Sequence, residues 1–163
     1  MGTATKVNMT KLIELIRISM VLLVVLLVTI STNLYAQNKC SFKAPKDWIE
    51  KKTHWNGQCS DGYANGLGIL KEFENGKVKR FFFGKINKGE IEFGVIDQPD
   101  GYTAGKFSDG IIVPSDDRQT YIDAFNVAKK AAIKAANNFR KIGNKASAQF
   151  YENKAKELYN QMD

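Results

Sequence analysis

Two cysteines, a single histidine and two near-neighbour glutamates are the residues of this chain whose types suit covalent or acid–base chemistry. Cys40 and Cys59 form an even pair beyond a leader-like N-terminus, and in an exported chain such a pair reads first as a disulfide. The bridge would close a loop of about 20 residues and contribute about 3 kcal/mol in the chain-entropy picture. The alternative is a nucleophilic thiol beside His54. Cys59 would then need a setting that stabilises its thiolate, and no further residue completes a Cys-His site. Glu90 and Glu92 stand two apart on one strand face, which reads as a pair of solvated edge carboxylates ahead of an acid/base pair. The sequence carries no serine-nucleophile motif, phosphate loop or metal-ligand cluster, and one histidine argues against zinc. No cofactor is expected. An envelope hydrolase acting through Glu90, Glu92 and His54 is the minority expectation.

Binding chemistry has two stronger candidates. Lys129, Lys130, Lys134, Arg140, Lys141 and Lys145 fall in a stretch with no acidic residue between Asp123 and Glu152. Six cations on one helical element can attract an anionic surface (lipid headgroups, envelope polysaccharide or an acidic protein), or can simply form a solvated face. The second candidate is Phe81-Phe82-Phe83, directly after Arg80. Successive strand residues point to opposite faces, so at least one phenylalanine lies on each. Either both faces are covered or one aromatic is exposed for a partner.

The elements that must position these residues are punctuated by glycine. From Gly57, glycines follow at Gly62, Gly66 and Gly68; Gly84 is followed by Gly89, and Gly105 by Gly110. Each group opens on an aromatic: Trp55, Phe82 and Tyr102. The starts are 27 and then 21 residues apart, a period typical of one small supersecondary unit stacked on the next. Asp61-Gly62, Asn65-Gly66, Asn75-Gly76, Lys88-Gly89, Asp100-Gly101 and Asp109-Gly110 read as tight hairpin turns. Strands are predicted over Leu67–Phe73, Lys79–Gly84, Glu90–Ile96 and Tyr102–Phe107. Ile91, Phe93 and Val95 are expected inward, against Glu90, Glu92 and Gly94. Gly66 and Gly68 share a face, which leaves room for something bulky above them.

After Pro114 the period changes. Ser115, Asp116 and Asp117 offer capping oxygens, and Tyr121, Phe125, Ala128, Ala132, Ala135, Phe139 and Ile142 recur in helical steps. Gly143-Asn144 interrupts them, and Ala148, Tyr151, Ala155, Leu158 and Met162 begin a second stripe. The second helix is expected to fold back on the first. Upstream of the strands, Asp47 is expected to cap a short helical turn through Lys52, with Trp48 plugging the first end of the sheet.

The segment Trp55-Asn-Gly57-Gln-Cys59-Ser-Asp-Gly62-Tyr-Ala-Asn-Gly66-Leu-Gly68 resembles a MORN repeat: an aromatic, glycines at those offsets, then a hydrophobic strand. Phe82-Phe83-Gly84 through Gly89 keeps the first two glycines, with Phe93 and Val95 where the later two belong and Gly94 out by one. Tyr102 through Gly110 is a partial copy. The resemblance covers about 55 residues. It implies stacked antiparallel hairpins used for protein association, with lipid contact sometimes proposed.

At the N-terminus, Lys6, Lys11 and Arg17 precede an apolar run from Ile18 to Ile30, and Leu34-Tyr35-Ala36 is an acceptable cleavage site. Residues 1–36 therefore read as a signal peptide cleaved near Ala36, giving a periplasmic or secreted protein; an uncleaved anchor is the alternative. Without that segment, 21 basic and 16 acidic residues remain, a net charge of +5. This mild excess is no nucleic-acid signature. The expectation is an α+β protein: a cap over 37–54, a short antiparallel β-meander of stacked hairpins over 55–113, and a C-terminal α-helical hairpin over 114–163. Its expected role is a non-catalytic protein-interaction or scaffold module; a peripheral envelope or anionic-lipid binder acting through the basic helix is the alternative.

Overall fold

The computed structural model describes Ile13, Glu14, residues 16–22 and residues 40–162. The chain divides into two units, Met1–Asn38 and Lys39–Asp163. In the first, the described residues are helical; the expected cleavage site at Ala36 lies outside the described residues. No helix among the described residues is long and apolar enough to cross a membrane.

The second unit is α+β. Six antiparallel strands follow one another across the sheet in sequence order: β1 Thr53–Ser60, β2 Tyr63–Glu74, β3 Lys77–Asn87, β4 Glu90–Gln98, β5 Gly101–Ser108 and the two-residue β6 Ile111–Ile112. Four of the joining turns are two-residue loops with positive φ at both positions. Asp61, Asn75, Lys88 and Asp109 lie near +50° and the following glycines between +75° and +84°, the mirror-image turn whose twist matches paired strands. Two Asx-Gly dipeptides depart from this. Asn65-Gly66 is not a turn: it sits inside β2, where residues 66–68 face Gly57 alone between the pairs Asn56↔Ile69 and Gln58↔Asn65. The β4–β5 loop is Pro99-Asp100, with Gly101 already paired to Gln98.

A second irregularity overturns the expected alternation. Lys85 pairs with Phe93 but Ile86 with Ile91, so β4 carries one extra residue at Glu92. An inserted residue flips the remainder of the strand to the other face. Phe93 and Val95 therefore face one core, while Ile91 faces the other.

Two helices cover one face of the sheet. In α1 (Arg118–Lys141), Asp117 is the N-cap and accepts from the backbone N–H groups of Gln119 and Thr120. α2 (Lys145–Tyr159) begins at Asn144, whose side chain accepts from the Ser147 N–H, just after Gly143 at φ +75°. Phe125, Ala128, Ala132 and Ala135 of the expected stripe are buried, with Ala124, Ala131 and Ala136 beside them. Tyr121 and Ile142 are exposed, and Ile142 caps the helix instead of extending its stripe. Alanines on α1 let its backbone approach Ile69, Phe83 and Val95 closely.

The opposite face holds Trp55, Leu70, Phe82, Ile86, Ile91 and Phe107. Here the repeat glycines acquire a common role. Gly68, Gly84, Gly94 and Gly105 pair successively across β2 to β5, forming a row without side chains. Aromatic rings lie down on that row. A methyl group at Gly68 would collide with the Trp55 ring, and one at Gly94 would meet the Phe82 ring at 3.1 Å. Tyr102 does not follow this pattern; it packs on the helix side, edge-on to Phe125 at 5.5 Å. It stands three residues before Gly105, and the other two aromatics stand two before their glycines, so the pleat sends it the other way.

The segment after Cys40 straps the turn end of this face. Ser41 N–H donates to the Gly62 carbonyl at 2.7 Å, Lys43 N–H to that of Gly89 at 2.8 Å, and Lys46 N–H to that of Gly110 at 3.1 Å. The three acceptors are separated by the 27- and 21-residue repeat spacing, so the period places one carbonyl per hairpin along a single extended chain. A methyl at Gly110 would stand 2.9 Å from the Ala44 carbonyl oxygen, which makes glycine necessary for close approach as well as for φ. Cys40 and Cys59 are joined in a disulfide with Cα atoms 5.6 Å apart, fixing one end of the strap to β1. The bond suits an oxidising compartment. Reducing it is expected to lower the unfolding free energy by about 3 kcal/mol, read as a lower urea midpoint. An unchanged midpoint in reductant would show that the strap lies outside the cooperative unit.

Trp48 is buried against this face, as expected of a plug, but Asp47 does not cap the following turn. The 3-10 turn Glu50–Lys52 has Ile49 at its N-cap position without a side-chain bond. Asp47 is instead drawn to Arg80, which also donates to Glu72 at 2.7 Å and lies over the Trp48 ring at 5.0 Å.

Candidate functional site

The acid–base candidates are dispersed. Cys59 is held in the disulfide. Glu90 pairs with Lys43 of the strap at 3.7 Å, and Glu92, the bulged residue, with Lys85 on the neighbouring strand at 2.9 Å. His54 lies in a separate shallow groove beside Lys52, Thr53 and Phe73. Burial pushes the imidazole below its ordinary pKa, and Lys71 opposite it in the register adds to the effect. Among the described residues lining that groove there is no carboxylate to orient His54.

The three phenylalanines divide as the pleat demands. Phe82 is fully buried on the strap side and Phe83 fully buried under the helices. Both rings are packed inside the protein. Phe81 is half-buried, stacked on Phe83 at 5.4 Å and tilted against Phe150 of α2 at 5.8 Å. Each sheet face thus holds a buried cluster packed against the protein's own chain.

A neighbouring feature has no counterpart among the residues that sequence reasoning singled out. Lys71 points from β2 into the helix interface, its ammonium 5.9 Å from the Phe139 ring and 5.5 Å from the Tyr151 ring. Burial pulls the Lys71 pKa down, and burial also pushes the Tyr151 hydroxyl up to about 12. Ring faces stabilise the ammonium in place of a carboxylate. A lysine two residues after Ile69, on the same face of β2, was the visible signal.

The basic cluster is the part that stays open. Its six members separate into held and free cations. Lys129 lies over the Tyr159 ring at 4.8 Å, Lys134 donates to Gln58 Oε1 at 3.0 Å, and Arg140 donates to Asn137 and pairs with Glu152. Lys130, Lys141 and Lys145 are exposed. Lys130, Lys134 and Lys141 lie on the outward side of α1, at spacings of four and seven.

Two adjoining grooves flank this side. One, of about 540 Å³, runs between the helices and is lined by Lys129, Ile133, Glu152, Ala155, Lys156 and Tyr159. The other, of about 450 Å³, lies between α1 and β1 and is lined by Gln58, Lys130, Lys134, Asn137, Asn138 and Lys141. Ile133, 44% exposed, lines both. Tyr159 is 51% exposed. Sequence reasoning named the lysines and missed Ile133 and Tyr159. An isoleucine between Lys130 and Lys134, off the buried stripe, was the visible sign. The surface offers ammonium groups, amide donors and apolar contact, a chemistry of binding. No family model matches the chain, nor does any curated protein or solved structure.

Proposed function

We propose that this protein is an exported, non-catalytic protein-binding module, built on a MORN-like sheet and acting through the outward surface of its helical hairpin. The observation that carries this reading is that two adjoining grooves on the outward side of the helical hairpin share Ile133, with exposed Tyr159 and the cations of α1 beside it. Half-exposed apolar and aromatic side chains next to cations are the anchors around which protein interfaces form. The glycine row and the aromatic rings lying on it support the MORN-like reading, and the disulfide supports export.

A photo-crosslinking side chain at position 133, introduced in the native host, tests this. One discrete protein adduct at 133, and none from the same group at exposed Asn75, is the expected result. Equal labelling at both positions, or no protein adduct, would defeat the reading. The free charges of Lys130, Lys141 and Lys145 favour a second reading, attachment to an anionic lipid surface. Under it, sedimentation with vesicles containing anionic lipid should be strong at low salt and lost at high salt. Indifference to vesicles would remove it.

A further inference from the structure

We infer that the segment seated on this surface is an acidic, amphipathic stretch of the partner protein, with carboxylates against Lys130, Lys134 and Lys141 and an apolar side chain against Ile133. The inference rests on the protein-binding reading above and adds the chemistry of the partner. The groove between α1 and β1 is lined by three ammonium groups, three side-chain amides and Ile133, with no carboxylate among them. The one carboxylate lining the adjoining groove, Glu152, is already paired with Arg140. The groove between α1 and β1 is therefore lined by charge of one sign, and complementary charge is what steers and registers a partner there.

Geometry favours a peptide segment over a bilayer. Ile133 is exposed on the ridge between two grooves, and the side chains of a peptide can enter the grooves on either side of it where a flat bilayer surface cannot. The lysines span 11 residues of α1, about 16 Å along the axis. About five residues of extended chain or three turns of helix cover that distance. Gln58 already holds the Lys134 ammonium at 3.0 Å, so that cation loses less freedom on binding.

The experiment uses the adduct formed through position 133, digested and sequenced. The crosslinked partner segment should carry at least two carboxylates within about seven residues of an apolar one. The triple variant K130E/K134E/K141E should cut adduct yield at least about tenfold, the corresponding triple lysine-to-arginine variant should retain it, and raising salt from about 50 to 500 mM should lower it several-fold. Lys130 and Lys141 are exposed and Lys134 bonds only Gln58, so the thermal midpoint should hold; if the reversed variant unfolds, the lysine-to-glutamine triple gives the same comparison. A protein adduct whose segment is neutral or basic, or whose yield ignores charge reversal, overturns this inference and leaves the protein-binding reading standing. A lipid or glycan adduct, or none, overturns both.

Discussion

Replacing Phe82 by alanine is expected to lower the unfolding free energy by about 3–5 kcal/mol, toward the upper end of the range for large-to-small core changes. The reason lies in what surrounds the ring. Phe82 is fully buried, edge-on to Phe107 at 5.6 Å, and lies on Gly84 and Gly94. Those glycines have no side chains to move into the vacated volume, so the cavity stays open and its lining loses dispersion contacts. Denaturant unfolding gives the measurement. A loss under about 1 kcal/mol would mean that the strap side of the sheet collapses freely and is not a packed core.

The second large effect is expected from Arg80→Ala, about 3–5 kcal/mol at neutral pH, because it strands a buried carboxylate. Glu72 is 3% exposed. Burial by itself pushes its pKa up; the Arg80 hydrogen bond and the Ile49 backbone N–H outweigh that, and the net result is below the ordinary value. A carboxyl depressed in the folded state contributes stability that is complete above its unfolded value, about 4.3, and is lost as pH falls through the folded one. The native protein should therefore weaken in acid. In Arg80→Ala burial is left dominant and the Glu72 pKa rises, so the deficit relative to native should shrink as pH is lowered from 7 toward 4. Combining the change with Glu72→Gln should recover part of the loss at neutral pH. Urea midpoints across that pH range decide the matter: a deficit independent of pH would show that Arg80 acts through packing on Trp48 alone.

Both effects concern contacts that join distant parts of the chain, and this marks the limit of what could be read beforehand. The turn chemistry was legible because it is local. Asp61-Gly62, Asn75-Gly76 and Asp109-Gly110 require a backbone conformation that Asn, Asp and Gly tolerate at low cost. Asp117 as a cap and Gly143 as a helix stop were legible for the same reason. Asn65-Gly66 has the same composition but folds as a bulge, because pairing with β1 continues past it. The bulge at Glu92 was also invisible, and it cost the facing of Ile91. An inserted residue is defined only against the partner strand.

The opening chemistry of the chain divides along the same line. Residue type and number indicated that Cys40 and Cys59 pair, and that the basic residues of α1 are concentrated away from acids, since both depend on composition and short spacing. Which cations remain free was decided by tertiary contacts. Glu152, Tyr159 and Gln58 occupy Arg140, Lys129 and Lys134 from other elements, while Lys130 and Lys141 have no such neighbour among the described residues. The glycine period was plain in the sequence, but its purpose was not. Only the folded sheet brings Gly68, Gly84, Gly94 and Gly105 into one row for aromatic rings, and presents Gly62, Gly89 and Gly110 to one strap, because register and close approach are properties of chains side by side.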